Sequence, residues 1–80
     1  SPVAIAISQP DDMKKGSVYV ADAGNQRIVE FDKAGNFVRQ FRPAADKPPF
    51  DDLRDIAVDG KTSRLFLLNG TTLSFINLPD

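Results

Sequence analysis

No cysteine, histidine or tryptophan occurs in these 80 residues, and methionine and tyrosine appear once each. Disulfides, thiolate and imidazole metal ligands are thereby excluded, together with every nucleophile or triad scheme that needs Cys or His. Neither sign of charge dominates, since 10 Lys and Arg stand against 11 Asp and Glu for a net charge of -1. Such a chain has no global field to draw in a phosphate backbone or an anionic membrane, so nucleic acid is not an expected partner. The apolar stretch near the start, Val3 to Ile7, is far too short to span a bilayer, and no basic segment precedes it; no membrane insertion is expected. A chain without thiols is indifferent to oxidation, so composition assigns no compartment. The opening Ser1-Pro2-Val3 lacks a Met start and reads as the middle of a repeat, so a segment of a longer chain is expected.

The residues that are present, 41% of them hydrophobic, suffice for the core of one small domain. Val3 to Ile7 alternates large and small apolar residues and predicts a strand buried on both faces. Ser8 to Gly16 is polar, contains Pro10 and ends in Gly, which predicts a loop. Strands are then predicted over 17–22 and 27–32, joined through Ala23-Gly24-Asn25-Gln26, whose residues tolerate positive φ. Lys33 to Asn36 makes the next turn, and 37–42 mixes apolar residues with charge as a solvated edge strand does. Helical alternatives fail, because no run of ten residues keeps apolar spacing of three and four without Gly or Pro.

Pro43 to Phe50 holds three of the six prolines and reads as a linker. A second round follows, with strands predicted near 53–58, 64–68 and 72–77. Ala6 aligns with Ala57 at an offset of 51, Val20 with Leu67 at 47 and Phe31 with Ile76 at 45, so the spacing shrinks only inside loops. A period of about 45 residues with four short strands per unit is that of a β-propeller blade, whereas solenoid repeats of that length are helical. The expected fold is all-β, built of antiparallel four-stranded blades: one complete blade and its linker in 1–50, and three strands of a second, incomplete blade in 51–80.

A specific resemblance lies in Val18-Tyr19-Val20-Ala21-Asp22-Ala23-Gly24-Asn25-Gln26-Arg27-Ile28, followed by Gly35-Asn36-Phe37-Val38. This resembles an NHL repeat, in which a hydrophobic strand ends in Ala-Asp, an Asn-x-Arg-Ile turn leads into the next strand, and a Gly-Asn or Gly-Lys turn follows. Ile56-Ala57-Val58-Asp59 is similar to the strand that opens each blade, but Leu68-Asn69-Gly70-Thr71-Thr72 replaces the Ala-Asp and Asn-x-Arg elements, which marks a degenerate repeat. The resemblance covers nearly the whole chain and implies a slice of a propeller of about six blades, from its C-terminal part. Two blades cannot cover both of their outer faces, so either self-association, as three copies making a ring, or pairing with the remaining blades is expected.

Asp22, Asn25 and Arg27 form the sharpest polar cluster. As a binding rim they would hold a peptide, glycan or nucleic-acid strand through a guanidinium and an amide; as structure, Asn25 caps the turn and Arg27 pairs with Asp22. Asp11, Asp12, Asp51, Asp52, Asp55 and Asp59 supply carboxylates of the kind calcium takes, but no Asp-x-Asp-x-Asp-Gly loop is present and turn or solvent roles account for them; no cofactor is expected. Lys14, Lys15, Arg39 and Arg42 are interleaved with acids and read as solvated surface. Phe50, beside two prolines, is expected to wedge between the blades.

The leading expectation for function is a non-enzymatic binding module whose partner is a protein or peptide, because loops on a rigid scaffold are present without a catalytic constellation. Two alternatives stay open. The resemblance extends to lyase-like and lactonase-like propeller enzymes with metal sites; the lyase scheme needs His, whereas a lactonase-like site could draw on Asp22, Asn69 or Asp59. The blades could also serve only to space or orient neighbouring domains.

Overall fold

The computed structural model describes residues 2–8, 16–47 and 49–79. The loop expected over Ser8 to Gly16 therefore lies mostly outside the described residues, as do Asp11, Asp12, Lys14 and Lys15. The fold is all-β. Strands β1 (Pro2–Ile7), β2 (Ser17–Asp22), β3 (Arg27–Asp32) and β4 (Phe37–Phe41) form an antiparallel sheet in chain order, and β5 (Leu53–Asp59), β6 (Arg64–Asn69) and β7 (Thr72–Asn77) form a second. Strand ends differ from the sequence expectation by single residues: β4 stops at Phe41, while β5 and β6 each run one residue further.

The two sheets repeat each other position by position. Ala6 stands opposite Tyr19 and Tyr19 opposite Glu30; Ala57 stands opposite Phe66 and Phe66 opposite Phe75. Ile5, Val20 and Val29 form a cross-strand row in the first sheet, as Ile56, Leu67 and Ser74 do in the second. Both sheets carry a register shift at the same place, between Pro2 and Ala4 and between Leu53 and Asp55. A bulge is a specific local kink, so its recurrence at equivalent positions is a stronger sign of repetition than similar strand lengths.

The turns follow from local chemistry. Between β3 and β4 the Asp32 carboxylate accepts the backbone N–H of Ala34 at 3.0 Å and of Asn36 at 2.8 Å, and Gly35 takes the positive φ of 92° that a β-carbon would oppose. The backbone N–H of Asn36, then its side-chain amide, hold the Asp32 carboxyl below its ordinary value of 3.8. The folded state thus gains from Asp32 fully above that ordinary value, and the gain fades as pH falls through the lowered one. A carboxyl-carbon NMR titration of Asp32 is expected to show a midpoint below 3.8; a midpoint at or above it would contradict this account of the turn.

The sheets pack face to face, β1 lying against β5 with β2 also reaching it. Ala6, Tyr19, Ala21 and Ile28 of the first sheet share a buried core with Ile56, Leu65 and Leu67 of the second, closed by Phe50 from the linker and Leu78 from beyond β7. Small residues on β1 and β2 leave room for the larger side chains of β5 and β6. Full burial of one such side chain, Leu65 or Ile28 for instance, stabilises by about 1.5–3 kcal/mol.

The expectation that β1 is buried on both faces is corrected. Ala4 and Ala6 turn to the second sheet, but Val3, Ile5 and Ile7 remain 46%, 63% and 51% exposed. Strand alternation sends successive side chains to opposite faces, and among the described residues only one face of this sheet packs on the other sheet. Aromatics divide in the same way: Tyr19 is buried and Phe41 packs on it with ring centroids 6.4 Å apart, whereas Phe37 and Phe75 are exposed. Phe50, 7% exposed, occupies the wedge position expected of it.

Candidate functional site

Asp22, Asn25 and Arg27 are brought together by the turn that leaves β2. Ala23–Asn25 forms one turn of 3-10 helix, and Gln26 closes it in the left-handed region, with its N–H donating to the Ala23 carbonyl at 3.1 Å. Chain reversal then sets Arg27 opposite Asp22 in the β2–β3 register. Asp22 Oδ2 accepts from Asn25 Nδ2 at 3.0 Å and from Arg27 Nε at 3.1 Å. Hydrogen bonds from Asn25 and then Arg27 hold the Asp22 carboxyl below the usual carboxylate range.

Two residues from β4 and just beyond it complete this cluster. Gln40 Oε1 accepts from Arg27 Nη1 at 3.1 Å, and Arg42 Nη1 donates to the Asn25 carbonyl at 2.9 Å. Neither was legible as a member, because β4 reaches the turn only through its pairing with β3. Arg27 thus pairs with Asp22 within the turn, while Asn25 bonds to the same carboxylate oxygen and Gln26, not Asn25, closes the turn. Asp22→Asn is expected to free the Arg27 side chain, seen as several-fold faster hydrogen exchange at Arg27 Nε–H; unchanged exchange would show that Asp22 does not hold the guanidinium.

The basic residues do not form a patch. Arg42 ties the turn, while Arg39 Nε stands 3.2 Å from Oε1 of Glu30, an ionic contact without hydrogen-bond geometry. Glu30 is only 2% exposed and receives the Ser17 hydroxyl at 2.6 Å on its other oxygen. This buried acid is the polar feature that periodicity missed: its position in β3 reads as the outward half of an alternating strand, yet it faces the second sheet beside Tyr19.

Asp59, Asp52 and Asp55 are likewise used locally. Asp59 accepts Lys61 N–H and the Thr62 hydroxyl, which, Thr62 first, lower its pKa. Asp52 pairs with Arg54, and Asp55 accepts the N–H of Ile56. Asn69 occupies the position in the second sheet that Asp22 holds in the first, and fastens the linker: it accepts Asp52 N–H at 2.9 Å and donates to the Pro49 carbonyl at 3.2 Å. Among the described residues no group of three or more His, Cys, Asp or Glu is placed to hold a metal ion.

A groove of about 470 Å³ lies between the end of β4, the linker and β7. Its floor is Phe41, Phe50 and Leu67, its rim carries Arg42, Lys47 and Asn69, and β7 contributes Ser74, Phe75 and Ile76. Successive residues of a strand alternate between its faces, so three in a row line one groove only where that groove follows the strand's edge. Among the described residues β7 is the last strand of the second sheet and has no neighbour on its outer side, where β4 covers β3 in the first sheet. Among the described residues no helix is long and apolar enough to cross a membrane. No known protein family matches this sequence, and no curated protein is significantly similar to it.

Proposed function

We propose that the chain comprises two successive blades of a β-propeller of NHL-repeat type and acts as a non-enzymatic module that binds an extended segment of a protein or peptide. The observation that carries the reading is the groove along the open edge of β7. An unpaired strand edge presents a row of N–H and C=O groups to any extended chain, and the adjoining apolar floor takes alternate side chains of that chain. Arg42 and Lys47 on the rim favour a ligand that carries acidic residues. The shared register and bulge of the two sheets support the repeat assignment, and the Asp22–Arg27 turn supports the NHL type by giving its residues a structural task.

A random twelve-residue peptide library displayed on phage, selected on the folded chain, tests the reading. Enriched peptides are expected to have alternating apolar residues with acids between them, to shift the backbone amide signals of Thr72 to Ile76, and to bind at least tenfold more weakly to Lys47→Glu. Failure to enrich any peptide, or shifts confined to other strands, would overturn the proposal.

A further inference from the structure

Of the four asparagines in the chain, Asn69 is the one that glycine follows. Glycine has no β-carbon to shield its backbone nitrogen, so an Asn-Gly pair is where that nitrogen most readily attacks the side-chain carbonyl carbon of the preceding asparagine. Here the pair opens the β6–β7 hairpin turn, with Asn69 opposite Thr72 and Gly70 at a φ of 63°. Three hydrogen bonds engage the reacting groups, and all three are made with the end of the linker. Asn69 Oδ1 accepts the Asp52 N–H at 2.9 Å, Asn69 Nδ2 donates to the Pro49 carbonyl at 3.2 Å, and the Gly70 N–H donates to the Asp52 carbonyl at 2.7 Å. Nucleophile and electrophile are therefore freed together, whenever segment 49–52 lifts from the hairpin.

We infer that Asn69 is a self-modification site that turns release of the linker into a permanent state. Once the segment lifts, the Gly70 nitrogen gives up its proton and bonds to Asn69 Cγ, ammonia leaves, and water opens the resulting succinimide ring to aspartate or isoaspartate. Neither product restores the clamp. In aspartate an oxygen takes the place of Nδ2, which stands 3.2 Å from the Pro49 carbonyl oxygen and 3.5 Å from an Asp51 carboxylate oxygen, so two acceptors face it with no proton to share. The equivalent acid of the first sheet, Asp22, is answered by Arg27, but Thr72 stands there in the second sheet and Arg54 is already paired with Asp52. Isoaspartate lengthens the backbone within the turn, which breaks the Asn69–Thr72 register. Phe50 lies inside the released segment, so the change also loosens a side chain of the shared core. This chemistry needs no bound peptide.

The full chain, aged in mildly alkaline buffer and mapped by peptide mass spectrometry, is expected to convert Asn69 to the acid before Asn25, Asn36 or Asn77. Conversion is expected to be at least about tenfold slower in the folded chain than in urea, because attack waits on opening of the segment. In the converted fraction the Asp52 and Gly70 amides are expected to exchange with solvent at least about tenfold faster than before, while the amides of β2 and β3 keep their protection. Asn69→Asp, made directly, is expected to show the same local loss; should that variant fail to fold, the aged wild-type fraction supplies the reading. Earlier conversion at another asparagine, equal rates in the folded chain and in urea, or Asp52 and Gly70 amides as well protected after conversion as before would each overturn the inference.

Discussion

Phe50→Ala is expected to lower the unfolding free energy by about 3 kcal/mol, read as a fall in the urea midpoint with an unchanged slope. Phe50 belongs to no strand, yet it is 7% exposed and shares the core with residues of both sheets. Pro43 and Pro49 stiffen the linker on either side of this stretch, and Asn69 clamps its end through the Pro49 carbonyl and the Asp52 N–H. The ring is thus delivered between the sheets by a short, anchored segment, and its loss leaves a cavity that the strands cannot close without sliding. A domain of 80 residues commands on the order of 4–12 kcal/mol in total, so this one truncation removes a large share of it. Phe37→Ala is the matched control: Phe37 is 61% exposed, and its truncation is expected to change stability by less than about 0.5 kcal/mol. Equal effects at the two positions would refute the wedge.

Arg39→Met is expected to destabilise by about 3 kcal/mol, because it strands the Glu30 carboxylate in the inter-sheet face with only the Ser17 hydroxyl as a partner. The figure is at the lower end for a broken buried pair, since about a third of the Arg39 side chain still meets solvent. Replacing both members, Glu30→Phe with Arg39→Met, is expected to recover most of the loss, because no charge is then left unpaired. The second sheet already shows such an exchange. At the positions equivalent to Ser17 and Glu30 stand Arg64 and Phe75, and the Arg64 guanidinium lies 4.5 Å from the Phe75 ring centre. The same cross-strand geometry thus holds a hydroxyl–carboxylate pair in one repeat and a cation–π pair in the other. A double variant no more stable than Arg39→Met alone would show that the charge balance is not what the substitution disturbs.

Much of this architecture could be read before any coordinates. Seven strands, the turns among the described residues and the alignment of Ala6 with Ala57, Val20 with Leu67 and Phe31 with Ile76 agree with the observed pairing. Of the candidate site, Asp22, Asn25 and Arg27 were legible because they are five residues apart on one turn. Gln40 and Arg42 were not, since they approach that turn from across a strand pair.

Local chemistry determined what is local: β-branched and aromatic alternation made strands, and Asn, Asp and Gly made the reversals between them, because both depend on backbone preferences of neighbouring residues. Which side of each strand meets the core was decided only by tertiary structure. Ile5 and Ala6 are both apolar, and no pattern along β1 distinguishes the face that finds a neighbour from the face that does not. Packing of β1 on β5 made that choice, burying Ala6 and Glu30 and leaving Ile5 and Leu73 in water. Burial is a property of what lies opposite a side chain, and what lies opposite is set by contacts tens of residues away along the chain.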